Sequence, residues 1–294
     1  MRGLSKIRVL IVDDSILFRQ ILERELTNDL NIDVVGTAAD ADDAMKKIQS
    51  LRPDVVTLDV EMPKQNGVEF LKRLMAAYPL PVVVVSSHPV SALNALDDGA
   101  IDFVKKPEFQ SSSDLRGFMS ELTIKIKIAS AARITKKCLV SSPNFDLMSL
   151  TKQADNAPII AIGASTGGTE AILSIIRDLP PTTPGIIVVQ HMPPVFTNMY
   201  AQRLDKLCQM HVHEARDKDR VVPGTVLIAA GEYHLRLAKD TQGYYVKSEK
   251  GAKVSGHCPS VDVMFDSVAE VAGKKAIGII LTGMGSDGAA GLTK

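Results

Sequence analysis

The chain has 294 residues and carries 34 Lys and Arg against 34 Asp and Glu, a formal net charge of zero. That length predicts two domains, each large enough to bury a core, and a composition 45% hydrophobic and 23% charged excludes a disordered or fibrous chain. Three widely spaced cysteines, Cys138, Cys208 and Cys258, argue against a disulfide framework, and no apolar run approaches a membrane span. The start MRGLSKIRVLIV runs straight into Asp13 and Asp14 with no small-residue cleavage site, so no signal peptide is expected. The expectation is a soluble, cytoplasmic protein. Residues 1–128 hold 16 basic and 19 acidic groups and residues 129–294 hold 18 and 15, which is not the footprint of a nucleic-acid-binding domain.

The first third alternates short β-branched runs with amphipathic segments. Residues 7–12, 32–35, 55–58, 82–85 and 101–104 read as strands, with helical patterns near 16–27, 41–50, 67–77, 90–97 and 114–128. Strands that are apolar throughout belong in a sheet covered on both faces, so a doubly wound parallel α/β fold follows for residues 1–128. Residues 129–156 lose the pattern and read as a linker, whose basic cluster Arg133, Lys136 and Lys137 reads as a solvated face. A second α/β series occupies residues 157–294, again a doubly wound parallel sheet. Its strands at 159–162, 186–189, 226–229 and 277–281 all read as buried, its helices fall near 168–178, 195–208 and 260–272, and a hairpin at 235–247 reads as lying on the edge.

Asp13 and Asp14 directly follow the first strand and Asp59 the third. The C-terminal edge of a parallel sheet gathers the side chains that leave adjacent strands. Three carboxylates there repel one another unless a cation joins them, and Mg²⁺, small and oxygen-seeking, fits. Ser86 after the fourth strand and Lys106 after the fifth bring a hydroxyl and an ammonium to the same edge. Any one Asp alone also suits a cap; five groups at the ends of four strands do not read as chance. The stretches VDDS at 12–15, LDVEMP at 58–63 with Gly67, VVSS at 84–87 and GAIDFVKKP at 99–107 resemble a response-regulator receiver domain, flavodoxin-like in fold. The resemblance implies that Asp59 accepts a phosphoryl group from a chemotaxis histidine kinase, with Asp13 and Asp14 holding Mg²⁺ beside it. It further implies that Lys106 pairs with the phosphate, Ser86 moves to hydrogen-bond it, and Phe103 is the aromatic switch.

GASTGG at 163–168 follows a strand and precedes a helix, and it satisfies G-x-S-x-G, the turn that presents a serine nucleophile. Ser165 falls at a helix N-terminus, where N–H groups and the dipole favour an oxyanion. The same geometry describes a phosphate-binding loop, so the motif alone leaves both open. A nucleophile needs a base, and the base an orienting carboxylate. His191 ends the strand IIVVQ and Asp287 lies in LTGMGSDG after the last strand, so the order Ser165, His191, Asp287 puts all three at strand ends. The α/β-hydrolase order would need Asp217 with His234 or His257, none of which ends a convincing parallel strand. His211 and His213, near Cys208, lack the second Cys or His pair of a zinc site and read as a solvated strand. His234 and His257 read as structural hydrogen bonders, and His88 as a surface residue.

IGASTGG at 162–168, VVQHMPP at 188–194, VVPGTVLIAAGEYHL at 221–235, HCPSVDVMFDSVA at 257–269 and ILTGMGSDGA at 280–289 resemble the catalytic domain of the chemotaxis protein-glutamate methylesterase family (CheB), a Rossmann-like serine hydrolase. The resemblance implies a phosphorylation-activated esterase that demethylates glutamyl methyl esters on chemoreceptors and deamidates receptor glutamines. In it Ser165 is the nucleophile, His191 the general base and acid, Asp287 the orienting carboxylate, and Thr166 and Met284 line the pocket. It implies no cofactor for the esterase step, no nucleic acid, no membrane insertion, and an unmodified receiver packed over the Ser165 edge. The family continues for several dozen residues past the position of Lys294, which lies seven residues after Asp287. The expectation is therefore an incomplete catalytic domain whose Asp287 loop frays, with poor activity and marginal stability. Cys258 stands where the family leads one to expect a basic residue. The alternative is a phosphorylation-gated receptor-binding protein with little or no turnover.

Overall fold

Runs of Val, Ile and Leu with every side chain buried form the centre of each half of the chain. The computed structural model describes residues 6–62, 67–107, 112–132, 158–283 and 285–294. The chain divides into two units, Met1–Cys138 and Leu139–Lys294, a division that falls inside the 129–156 stretch. Arg133, Lys136, Lys137 and Cys138 lie outside the described residues.

In the first unit, strands β1 (Ile7–Val12), β2 (Ile32–Ala38), β3 (Val55–Asp59), β4 (Val82–Ser86) and β5 (Asp102–Lys105) pair in parallel in the order β2-β1-β3-β4-β5. Helices α1 (Ile16–Thr27), α2 (Ala41–Leu51), α3 (Gly67–Ala77), α4 (Pro89–Asp97) and α5 (Ser112–Ala131) alternate with them. Val9, Ile11, Phe18, Leu22, Leu122 and Ile126 share one core cluster, joining β1 to α1 and α5. Ser15 caps α1 through Phe18 N–H, and Asp40 caps α2 through the N–H groups of Asp42 and Asp43. The chain leaves β1 for β2 on one side and β3 on the other, which opens a crevice between the ends of β1 and β3.

The second unit runs β6 (Ile159–Ala164), α6 (Gly168–Ile176), β7 (Ile186–Gln190), α7 (Phe196–Leu207), β8 (His211–Glu214), β9 (Thr225–Ile228), β10 (Tyr233–Asp240), β11 (Gly243–Lys250), α8 (Val261–Val271), β12 (Ala276–Ile280) and α9 (Ala289–Leu292). Its main sheet is parallel, in the order β12-β6-β7-β9-β8. Two expectations change. The hairpin does not extend that sheet; β10 and β11 form a separate two-stranded sheet, and β11 also bridges Arg220 through Tyr245. Alternation puts Leu235, Leu237 and Val246 in one cluster with Met264, Phe265 and Val268 of α8, and Leu237 N–H donates to Ser267 Oγ at 2.9 Å. The last strand is not buried. Among the described residues it pairs only with β6, and Ile277 is 39% and Ile280 40% exposed.

Candidate active site

Ser165 directly follows β6, His191 directly follows β7, and Asp287 lies in the loop that leaves β12. These three strands are neighbours, so their C-terminal ends open on one edge. Ser165 Oγ lies 3.2 Å from His191 Nδ1, and His191 Nε2 lies 2.8 Å from Asp287 Oδ2. An ionised carboxylate only accepts, so Nε2 carries the ring proton and Nδ1 is left to accept from the serine hydroxyl. With Val261, Leu281 and Thr282 these side chains line an open cleft of about 350 Å³, counting the space that merges with solvent.

The serine turn is held from two strands. Ser165 N–H donates to Thr282 O at 3.0 Å, while Gln190 Nε2 donates to Ser165 O at 2.8 Å and to His191 O at 3.2 Å. A Cβ on Gly283 would stand 2.7 Å from Ser165 Cβ, so only glycine lets the β12 loop cross the nucleophile this closely.

Asp287 is held by the start of α8. Ser260 Oγ donates to its Oδ1 at 2.7 Å, Val261 N–H to Oδ2 at 2.8 Å and Asp262 N–H to Oδ1 at 3.1 Å. These N–H groups are donors that a helix leaves open in its first turn, and a carboxylate from another loop fills them. Burial pushes the Asp287 carboxyl up, but the bonds from His191, Ser260 and the two backbone N–H groups outweigh it and hold the group well below the ordinary carboxylate range. The loop expected to fray is thus tied down. Gly291 N–H donates to Asp262 Oδ1 at 2.8 Å and Lys294 Nζ pairs with Asp266 Oδ1 at 2.8 Å, drawing α9 back onto α8.

In the first unit, Asp13, Asp14 and Asp59 place one ligand oxygen each within 4.8 Å of one another. Lys106 Nζ lies 2.8 Å from Asp13 Oδ2 and 2.6 Å from Asp59 Oδ2. Burial disfavours the Lys106 charge, but these two carboxylates overcome it and hold the ammonium above its ordinary range. Burial likewise pushes the Asp59 carboxyl up, against the pull of Lys106 and the Glu61 N–H, and Asp13 adds to the rise. Ser86 is bonded to Glu61 and His88. Its hydroxyl donates to Glu61 Oε1 at 2.8 Å, and the same oxygen accepts from His88 N–H at 2.8 Å and lies 2.6 Å from His88 Nδ1. Burial raises the Glu61 carboxyl, and these bonds more than offset the rise. Phe103 is buried, with Lys125 Nζ 5.2 Å from its ring centroid.

The CheB methylesterase family model matches residues 160–294, and the response regulator receiver domain model matches residues 9–116. Protein-glutamate methylesterase/protein-glutamine glutaminase 2 of Syntrophomonas wolfei subsp. wolfei is 54% identical over 289 residues, covering 98% of this chain and 84% of that protein. The protein-glutamate methylesterase/protein-glutamine glutaminase of Syntrophotalea carbinolica is 51% identical over 296 residues, with 98% and 84% covered. Among solved structures, the CheB methylesterase catalytic domain of Thermotoga maritima is 43% identical with a TM-score of 0.45, covering 47% of this chain and 73% of that one. This chain belongs to the protein-glutamate methylesterase/protein-glutamine glutaminase family. Members of the family are hydrolases with a receiver domain, and the alternative of a binding protein without turnover is not favoured.

In this member of the methylesterase family, Thr166 departs from its expected place. It is 3% exposed, is not among the residues that line the cleft, and meets the site through its carbonyl, which accepts from Thr282 Oγ1 at 3.1 Å. Met284 lies outside the described residues. His211 pairs with Asp205 at 2.9 Å and His213 with Asp219 at 3.3 Å. The sequence reading missed Glu61, Gln190 and Ser260, and it read His257 as a structural hydrogen bonder. For Ser260 a signal existed: a serine directly before an apolar helical run, with Asp262 in its first turn.

Proposed function

We propose that this family member cleaves protein glutamyl methyl esters and glutamine amides through Ser165 as nucleophile, His191 as general base and acid, and Asp287 as orienting carboxylate. The observation that carries the reading is the unbroken line from Ser165 Oγ through the His191 ring to Asp287, at 3.2 and 2.8 Å. Ser165 Oγ attacks the side-chain carbonyl carbon while His191 Nδ1 takes its proton. Asp287 offsets the imidazolium charge, and the dipole and N–H groups at the start of α6 favour the oxyanion. Methanol or ammonia leaves with the proton from Nδ1, and water then hydrolyses the glutamyl-enzyme by the same route. Ester and amide pass through one tetrahedral oxyanion, so one site serves both. Ser165→Ala should lower demethylation of methylated chemoreceptor membranes by several orders of magnitude. Retention of most of the rate overturns the assignment.

We propose further that Asp59 accepts a phosphoryl group from a chemotaxis histidine kinase and that this raises esterase activity. Asp13, Asp14 and Asp59 suit Mg²⁺, an oxygen-only donor set with its three ligand atoms within 4.8 Å. Bound there, the ion supplies charge to neutralise the incoming phosphoryl oxygens. Lys106, already on Asp59, would follow the phosphate, and Ser86 would have to exchange Glu61 for it. Incubation with a small phosphodonor and Mg²⁺ should label the wild type and not Asp59→Asn; equal labelling counts against the site. Chemoreceptors are the proposed substrate, and among the described residues no helix is long and apolar enough to cross a membrane.

A further inference from the structure

The His191 ring has two edges and two faces, and the proposed catalytic bonds use only the edges, Nδ1 toward Ser165 and Nε2 toward Asp287. Both bonds lie at the ring's edges, so neither touches its faces. One face is covered by a second imidazole. The His257 ring lies 3.7 Å from His191 between centroids, with 8° between the planes.

The segment carrying His257 is shaped for this. Val254 and His257 exchange backbone hydrogen bonds at 3.0 and 2.9 Å across Ser255 and Gly256, whose φ angles are 52° and 85°. Two central residues with positive φ make the tightest hairpin turn, and Ser255 adopts that region without glycine's freedom. Backbone strain of this kind persists where the surroundings over-determine it, and it clusters at functional sites. The base of the segment is fixed from below by buried His234. Its Nε2 donates to Ala252 O at 2.8 Å, and its Nδ1 accepts from Ser260 N–H at 3.2 Å. Ser260 is also the residue whose hydroxyl reaches Asp287, so the supports of the ring's face and of its Asp287 edge meet at one residue.

We propose that His257 is a positioning residue for the hydrolytic reaction, holding the plane of the His191 ring and stabilising the imidazolium by its π-face. The role is felt in the transition state, when His191 holds the Ser165 proton and its charge spreads over the ring. An aromatic face at van der Waals distance attracts that cation and does little for the ring before it takes the proton. The effect therefore belongs to kcat and not to substrate affinity. This inference rests on the assignment of Ser165, His191 and Asp287.

The test uses the full chain on methylated chemoreceptor membranes, with Ser165→Ala, His257→Ala, His257→Phe and His257→Leu beside the wild type. Removing the ring should lower kcat by about three- to thirty-fold, with KM within two-fold. His257→Phe, which keeps a flat ring, should recover most of kcat, whereas His257→Leu, of similar bulk but no π-face, should not. Melting curves for all variants check folding, and the Phe–Leu comparison at equal stability keeps the test decisive if Ala unfolds. Wild-type kcat in Ala and Leu, equal loss in Phe and Leu, or a rise in KM alone would each overturn the proposal. Turnover surviving in Ser165→Ala would instead overturn the assignment beneath it.

Discussion

Asp287 accepts four hydrogen bonds, one from His191 and three from Ser260, Val261 and Asp262 at the start of α8. Because its folded pKa is depressed below the unfolded value near 3.9, it contributes stability that is present above that value and lost as pH falls through the folded one. The melting temperature of the second unit should therefore fall as pH drops below about 4, and Asp287→Asn should flatten that dependence. Ser260 both caps α8 through Val263 N–H and donates to Asp287. Ser260→Ala should cost about 1 kcal/mol in thermal denaturation and also lower turnover, because the carboxylate loses the donor that fixes its Oδ1. At this scale the strand-end positions of Ser165, His191 and Asp59 were legible because each adjoins or ends an apolar run whose strand character is local. Glu61 was not, since its role is a contact with Ser86, 25 residues away, that only folding creates.

Among the elements, α5 depends on one buried cation. Lys125 Nζ lies 3.2 Å from Asp102 Oδ1 and 2.9 Å from Glu121 Oε1, and it donates to Phe103 O at 2.5 Å, tying the helix to β5 beside the proposed switch ring. Burial disfavours the charge, but the two carboxylates outweigh it and hold the ammonium well above its ordinary range. Lys125→Met would leave the Asp102 carboxylate buried and without that partner, and should destabilise the first unit by about 3 kcal/mol in urea unfolding. The strands and helices read from the sequence lie within three residues of their observed bounds, since periodicity and β-branching act locally, while the short helix α9 was not anticipated. Nor was the hairpin's placement. Alternation marks an apolar face but not which surface covers it, and here α8 covers it instead of the parallel sheet extending.

Each unit has its own sheet and its own buried cluster. Scanning calorimetry should accordingly resolve two transitions, with Lys125→Met lowering one and Ser260→Ala lowering the other; a single transition moved by both substitutions would refute independent folding. The sequence by itself determined two parallel α/β units and which side chains stand at the strand ends, because backbone preference and burial pattern are properties of short windows. Tertiary structure decided what those ends meet. It placed β12 beside β6, set Asp287 on the first turn of α8, and laid His257 on the face of His191. Such contacts join segments tens of residues apart, and no local propensity records a distance across space.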